Sequence, residues 1–541
     1  MKFASSATRP SVPGSSSVLI TFGLVLAVGL TTACGSGGSS GSPKLTGNTS
    51  VTVLLSSTAN DQLSEFDLGF QSITLTSQSG KTATLLSSST SGPPVGAEFM
   101  HINGTAEPLV TASLPQDVYT GATVTLGAGD FVCLALGPVD GQESLSTATY
   151  SDLGTLPYTV SLTLATPLTI TGTSMDLLLD LLVSQSATVG DCLNVDGFSG
   201  FSMTPTFSLT PLTLGSSPTN SANGKVMGVD GEITAIRSSG NSLTLSIPDY
   251  VPVAAPLPIA VRSDGNTMYQ GISGLSALTV GAFVDLDGAI QSDGSLLATR
   301  IAVEDRSAVD VFRGPLMEVT PSVSALFMHA REMQGAGLPG FPSGESLSFN
   351  YGSAAFQISG QLTNVGSLPF VPSFNGSNMV PGQEVYVSTA SFPNGGPYPV
   401  VTTMTLMPQT INGTVTASSP SGNFTDYTVS LASYDLFPML AVQPQQTTVE
   451  NNPSQVEVYV DSSTQLLNTQ SLAAGSTLRF YGLVFNDNGT LRMDCAQVND
   501  GVAVSPGSNA SGHLNVGEAQ TIHRASPGGL QQMITTVTRS H

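Results

Sequence analysis

The stretch ALTVGAFVDLDGAIQSDGSLLATRI, from Ala277 to Ile301, returns in altered form as SLAAGSTLRFYGLVFNDNGTLRMDC, from Ser471 to Cys495. Leu278, Gly281, Val284, Leu286, Gly288 and Asp293 fall on Leu472, Gly475, Leu478, Phe480, Gly482 and Asp487. The first glycine of each copy marks a turn. After it, alternate residues, Val284 with Leu286 and Leu478 with Phe480, predict a strand with one face in a core. Ser292-Asp293-Gly294 and Asn486-Asp487-Asn488-Gly489 are hairpin turn chemistry, so the chain is expected to return as a second strand.

A weaker third copy, MVPGQEVYVS from Met379, keeps Gly382, Val385 and Val387 but has Thr389 where the second glycine would stand. Upstream of each copy lies an opening strand led by glycine: Gly231-Glu232-Ile233-Thr234-Ala235-Ile236, Gly314-Pro315-Leu316-Met317-Glu318-Val319 and Gly413-Thr414-Val415-Thr416-Ala417. The spacing delimits units at 225–306, 307–409 and 410–502. These are too long for solenoid coils and suit separate small barrels.

Working outward, residues 50–215 read as strand after strand. Phe66, Leu68 and Phe70 alternate, and ITLTSQSGKTATLL is a hairpin turning at Ser77–Gly80. MDLLLDLL, from Met175 to Leu182, is a continuous apolar run of the length of a strand buried on both faces. Asp180 inside it is expected to reach solvent at a sheet edge. Prolines 205 and 211 restrict FSMTPTFSLTPL to an edge or an irregular strand. A polar link, 216–224, separates this sandwich from the barrels. The chain is thus expected to be all-β and multi-domain, one β-sandwich followed by about three small β-barrel-like repeats. SALFMHAREMQ, from Ser324, is the one stretch past the N-terminal region where a short helix is expected.

Length and composition agree. The 541 residues exceed a single core, and at about 100 to 200 residues per domain they suggest three to five. Charged residues make up only 10% of the chain, so the helix-favouring Glu and Lys are scarce. The net charge of -22 arises from 37 acids against 15 bases, which excludes nucleic acid as a partner.

The N-terminal region sets an address. Lys2 and Arg9 precede an uncharged apolar core from Val18 to Leu30. At about 13 residues it is shorter than the roughly 20 a spanning helix needs, and it reads as a secretory signal over 1–33. The small residues before Cys34 resemble a bacterial lipoprotein box, with Leu30 standing one place earlier than is usual. That resemblance implies acylation of Cys34, with ordinary cleavage and release as the alternative. The Gly/Ser-rich 34–49 would be a tether and 503–541 a tail without packing. The protein is expected to be exported and held by lipid at the bacterial membrane, the outer membrane in particular, facing periplasm or exterior.

The segments VTVLL, FDLGFQSITL, LPQDVYTGATVTL, PLTITGTSMDLLLDLL and FSMTPTFSLTPL, in that order, resemble a β-sandwich family of bacterial lipoproteins known only as a domain of unknown function. The Pro115-to-Tyr119 turn and Asp180 are its most specific points, and the likeness covers about residues 50–215. The LxxGxxVxLxG…DGxLxAxxI arrangement is similar to a second uncharacterised family of exported proteins, which implies small barrels of five to six strands. Neither family brings an activity.

No residue set for catalysis emerges. Gly80-Lys81-Thr82 lacks the first glycine of a phosphate loop, since Leu75 holds that place. GFSGF and GISGL misplace the serine of a nucleophile elbow. HExxH and CxxC are absent. Only His101 and His329 lie in folded segments where they could serve as a base, and each reads more simply as an ordinary strand or turn histidine. His513, His523 and His541 are too widely spaced to ligate together.

Asp285 and Asp287 share one side of a strand, with Asp293 across the hairpin, and calcium would accept such oxygens. Their counterparts Arg479 and Tyr481 cannot ligate, so a solvated strand face is the plain alternative. Cys133 and Cys192 are candidates for a disulfide in an oxidising compartment, with two buried free thiols as the alternative, leaving Cys495 as a small core residue. No cofactor is expected. A non-catalytic scaffold of the cell envelope leads the functional readings, with a glycan- or protein-binding surface protein second and a hydrolase with an unrecognised site third.

Overall fold

The structure, a computed structural model, describes residues 45–499 and the two-residue strand Gln520–Thr521, apart from residues 59–62, 89–93, 103–105, 140–141, 151–152, 189–201, 213–224, 248–256, 292, 306–309, 336–344, 363–364, 390–398, 433–435, 442–453 and 468–471. It is all-β and multi-domain. Among the described residues, no helix is long and apolar enough to cross a membrane.

Twelve strands precede the barrels: β1 (Asn48–Ser57), β2 (Leu63–Ser77), β3 (Thr82–Ser87), β4 (Val95–Glu98), β5 (Glu107–Pro115), β6 (Val118–Val139), β7 (Gln142–Tyr150), β8 (Tyr158–Thr169), β9 (Ser174–Leu181), β10 (Ala187–Thr188), β11 (Ser202–Met203) and β12 (Phe207–Leu212). One sheet runs β12-β9-β1-β5. The other runs β3-β2-β6-β7, with β4 on β2 and β8 on β6. Their facing sides share one cluster, because period-two alternation turns Val51, Val53 and Leu55 of β1 and Phe66, Leu68 and Phe70 of β2 to the same interior. The Tyr119 hydroxyl donates to the Pro115 carbonyl at 2.9 Å and pins the turn between β5 and β6.

The apolar run of β9 has both faces covered. Leu177, Leu179 and Leu181 point into the sandwich, whereas Leu178 packs with Leu54 and Leu212 against the first barrel. Asp180 therefore finds no sheet edge, since β9 lies between β1 and β12. It accepts instead from the hydroxyl of Ser56, its register partner on parallel β1, at 2.6 Å. The edge belongs to β12, where Pro211 removes no needed donor.

Three further sheets follow. The first has β13 (Lys225–Arg237), β14 (Ser242–Ile247), β15 (Leu257–Arg262), β16 (Met268–Gln270), β17 (Phe283–Ile290) and β18 (Leu296–Asp305). The second has β19 (Asp310–Thr320), β20 (Ala325–Ala330), β21 (Glu332–Gly335), β22 (Glu345–Asn350), β23 (Ala355–Ile358), β24 (Glu384–Thr389) and β25 (Val401–Leu406). The third has β26 (Gln409–Ser421), β27 (Phe424–Leu431), β28 (Gln455–Val460), β29 (Gln465–Leu467), β30 (Thr477–Asp487) and β31 (Thr490–Asn499). Parallel pairing of β15 with β18 closes the first into a small barrel, and β28 with β31 closes the third. In the second, a single parallel bridge from Asn350 to Val400 does the same between β22 and β25.

Register matches across the three. Gly231 faces Val284, Gly314 faces Val385, and Gly413 faces Leu478. Gly281, Gly382 and Gly475 hold φ of +88°, +89° and +88°, left-handed values that a side chain rarely adopts. A β-bulge recurs at Gly288, Thr389 and Gly482. The return strands depart from the sequence alignment. Gly288 pairs with Ala298 but Gly482 pairs with Cys495, so the third hairpin is three residues longer and Cys495 corresponds to Ala298, not Ile301. The same loop marks both sites, for Thr267 donates its hydroxyl to the Ala298 carbonyl at 2.7 Å and Thr464 donates to that of Cys495 at 2.8 Å.

SALFMHAREMQ is not helical. It forms β20 and then β21, with Leu326, Met328 and Ala330 alternating into the barrel core. Cores also run between modules, since Phe424, Tyr481 and Phe485 of the third barrel join Phe312 and Met404 of the second in one cluster.

Candidate functional site

Charged side chains in this chain are few, and many of them are buried where modules meet. Arg313, on β19, and Arg331, between β20 and β21, are brought together because their backbones are paired, the Arg331 N–H donating to the Arg313 carbonyl at 2.9 Å. Arg313 forms an ion pair with Asp230 of the first barrel, and its Nε lies 3.5 Å from Glu384 of β24. Arg331 pairs with the same Glu384. Ions taken out of water are tolerable only when answered in this way.

The sandwich contributes the rest. Glu98 ends β4, and its carboxylate is wrapped by the chain that follows. It accepts from the N–H groups of Met100 at 2.7 Å and His101 at 2.8 Å, and from that of Phe66 at 3.0 Å. Burial opposes its ionisation. The hydrogen bond from His101 and the charge of Arg331 outweigh that and bring its pKa down to about 2.

His101 is held on both sides, with Nδ1 3.0 Å from Glu98 Oε2 and Nε2 2.9 Å from Glu107 Oε1. Glu332, at the start of β21, brings Oε1 to 3.2 Å from the same Nδ1. Burial works to lower the imidazole pKa, but Glu107 and Glu332 raise it well above its ordinary value. Burial raises the pKa of Glu332, with His101 and Arg313 pulling it the other way.

A cavity of about 70 Å³ adjoins this cluster, lined among others by His101, Arg313, Arg331, Glu384, Gln409 and Tyr481. That is room for a few waters or an ion. A second link lies nearby, where His329 Nε2 of β20 meets Glu65 Oε2 of β2 at 3.0 Å with both residues fully buried. Of the histidines considered for catalysis, His101 thus sits between carboxylates and His329 against one, both at module boundaries.

The acidic pair of the first barrel lies elsewhere. Asp285 is fully buried and not on a solvated face, and Arg300 lies where a cation would be. Its Nε is 2.8 Å from Asp287 Oδ2, and its guanidinium also pairs with Asp285. Asp293 does not join them; it accepts from the Ser295 hydroxyl at 2.6 Å and pairs with Arg262. Cys34 and Cys192 lie outside the described residues, as do the side chain of Cys133 and the three tail histidines. Cys495 is free and buried, its thiol directed at the Gln497 carbonyl, with its pKa raised by burial.

Residues 230–302 match the family model described as Domain of unknown function (DUF5666). The DUF5666 match covers the first barrel from β13 to β18, where the glycine-punctuated motif resembled an uncharacterised family. No curated protein matches the chain. Among solved structures, the 1.0 Å structure of a CusF variant with Cu(II) from Escherichia coli is similar over 16% of this chain and 96% of its own, at 16% identity and a TM-score of 0.12.

Sequence reasoning did not find the ionic junction. His101 and Glu332 are 231 positions apart and His329 and Glu65 are 264, and no local spacing encodes such meetings. The available signal was scarcity. With 15 bases in the chain, an Arg313 and an Arg331 in otherwise apolar strands needed partners.

Proposed function

We propose that the chain is an exported, lipid-anchored protein of the bacterial envelope that performs no reaction. In this reading the sandwich and three copies of one barrel module serve as a firm interaction scaffold. The observation that carries the reading is the ionic junction, because the histidines and arginines best suited to chemistry are engaged in joining modules. The anchor is read from Val18–Cys34 and the Gly/Ser-rich residues after it. The sandwich, on its own residues, resembles the lipoprotein family described above. Its partners would be envelope proteins or glycans, held at exposed sheet faces and edges.

Among the described residues, the exposed large apolar side chains are Leu156, Met268, Val280, Val323, Val371 and Val400. None is aromatic, so protein faces are favoured over a stacking platform for sugars. The test is made on the anchor and on the partner together. Mass spectrometry is expected to find an acylated Cys34 at the mature N-terminus, and Cys34→Ser should move the protein to the soluble fraction. An unmodified N-terminus with unchanged fractionation removes the anchoring. Cross-linking in intact envelopes should then yield a protein neighbour, and turnover of an envelope polymer by the purified chain would end the non-catalytic reading.

A further inference from the structure

Around His101 the hydrogen bonds do not close. One imidazole nitrogen carries at most one proton, yet Nδ1 faces both Glu98 Oε2 at 3.0 Å and Glu332 Oε1 at 3.2 Å. Glu98 is the nearer acceptor. Glu332 Oε1 accepts no hydrogen bond among the described residues, although Glu332 is only 2% exposed and is aimed into the cluster. Charge is unbalanced as well. Five carboxylates, from Glu98, Glu107, Glu332, Glu384 and Asp230, face three cations, Arg313, Arg331 and His101.

We propose that Glu98, His101 and Glu332 bind one divalent transition-metal cation, joining the sandwich to the second barrel. One ligand atom from each of the three residues lies within 4.8 Å of the others. Two ligands each about 2.0–2.2 Å from a tetrahedral ion stand about 3.4 Å apart, close to the separations already present here. Glu107 supplies the support that metal-bound histidines ordinarily have. By accepting the Nε2 proton at 2.9 Å it fixes the tautomer that leaves the Nδ1 lone pair free for a metal.

The ion enters as the Nδ1 proton leaves, and the cluster's surplus of two negative charges falls to one. Of the three ligands, His101 also lines the adjoining cavity. One imidazole with two carboxylates suits Zn²⁺, Co²⁺ or Mn²⁺. Ca²⁺ prefers an all-oxygen shell, and Cu⁺ would require sulfur. The proposal does not depend on the lipid anchor or on any binding partner.

The full-length protein, stripped with chelator, is titrated with Zn²⁺ by calorimetry and with Co²⁺ by visible absorption. One equivalent is expected to bind and to raise the melting temperature. Glu332→Gln, which keeps the side-chain volume, should weaken binding at least tenfold, and Glu107→Gln should weaken it about tenfold through the histidine. Changing the tail histidines (His513→Gln, His523→Gln, His541→Gln) should leave the titration as it was. No saturable binding by the unaltered chain overturns the proposal, as does binding that survives Glu332→Gln or vanishes with the tail histidines. If Glu332→Gln does not fold, X-ray absorption of the zinc-loaded protein decides. A single imidazole among oxygens upholds the site, and any other shell rejects it.

Discussion

Glu304 and Asp494 show what a low-charge chain does with the acids it buries. Glu304 is 5% exposed, and burial, reinforced by Asp285, pushes its carboxyl up to about 8. Asp494 is fully buried, and burial with Asp461 nearby pushes it up to about 7. In the unfolded chain both release their protons near pH 4. Between about pH 4 and 8 the folded state therefore holds protons that the unfolded state has lost, and stability must fall as pH rises through that window. The urea midpoint is expected to be lower at pH 8 than at pH 5. Glu304→Gln should remove a few kcal/mol of that difference, at about 1.4 kcal/mol per pKa unit. A variant whose midpoint falls with pH as steeply as the parent's would show that Glu304 is not the group responsible.

At the level of elements, the barrels repeat a register more faithfully than a sequence. The second glycine position holds Gly288, Thr389 and Gly482 in turn, always at a bulge. A Cβ on Gly482 would stand 2.0 Å from the Asp494 carbonyl oxygen, and one on Gly288 would stand 2.6 Å from that of Leu297. In the second barrel the matching place holds the fully buried side chain of Thr389. Gly482→Thr is thus expected to lower the melting temperature by several degrees or prevent folding, even though threonine occupies the matching place one module earlier. Thermal denaturation checks it, and an unchanged melting temperature would mean that the strands part freely.

The hairpins were legible from Gly281, Gly475 and the alternation that follows them. The offset between Ala298 and Cys495 was not. The Asp-Gly and Asn-Gly turns align well in sequence, but the hydroxyls of Thr267 and Thr464, in a loop outside the hairpin, mark the true register. SALFMHAREMQ misled for a related reason. Ala, Met, Glu and Arg favour helix, and the period of two carried by Leu326, Met328 and Ala330 prevailed because a core lay ready on that side.

For the molecule as a whole, the weight of the buried charge lies at junctions. Residues from Leu45 onward form one compact unit, and the clusters that hold it cross module boundaries. Independent beads on a string would melt one by one. A chain joined by His329–Glu65 and by Arg313–Asp230 is expected to show one calorimetric transition, little affected by salt because the pairs are shielded from solvent. His329→Leu strands Glu65 without its partner, costs about 3–5 kcal/mol, and should split the transition into two. Separate transitions in the unaltered protein would show that the junctions are too weak to couple the modules. None of this coupling could be read from the sequence, because the residues concerned lie in different modules and only the folded topology brings them together.

The place of β1 carries a consequence for how the protein is made. It is the third strand of β12-β9-β1-β5, and its parallel partner β9 begins more than a hundred residues later. Synthesis runs from the N-terminal end, so β2 and β5 emerge early enough to cover one face and one edge of β1, while its other edge waits for β9. Until Leu181 has appeared, that open edge is able to pair with a neighbour's, and loops this long close slowly. Crowding of nascent copies during that interval is where production is expected to fail first.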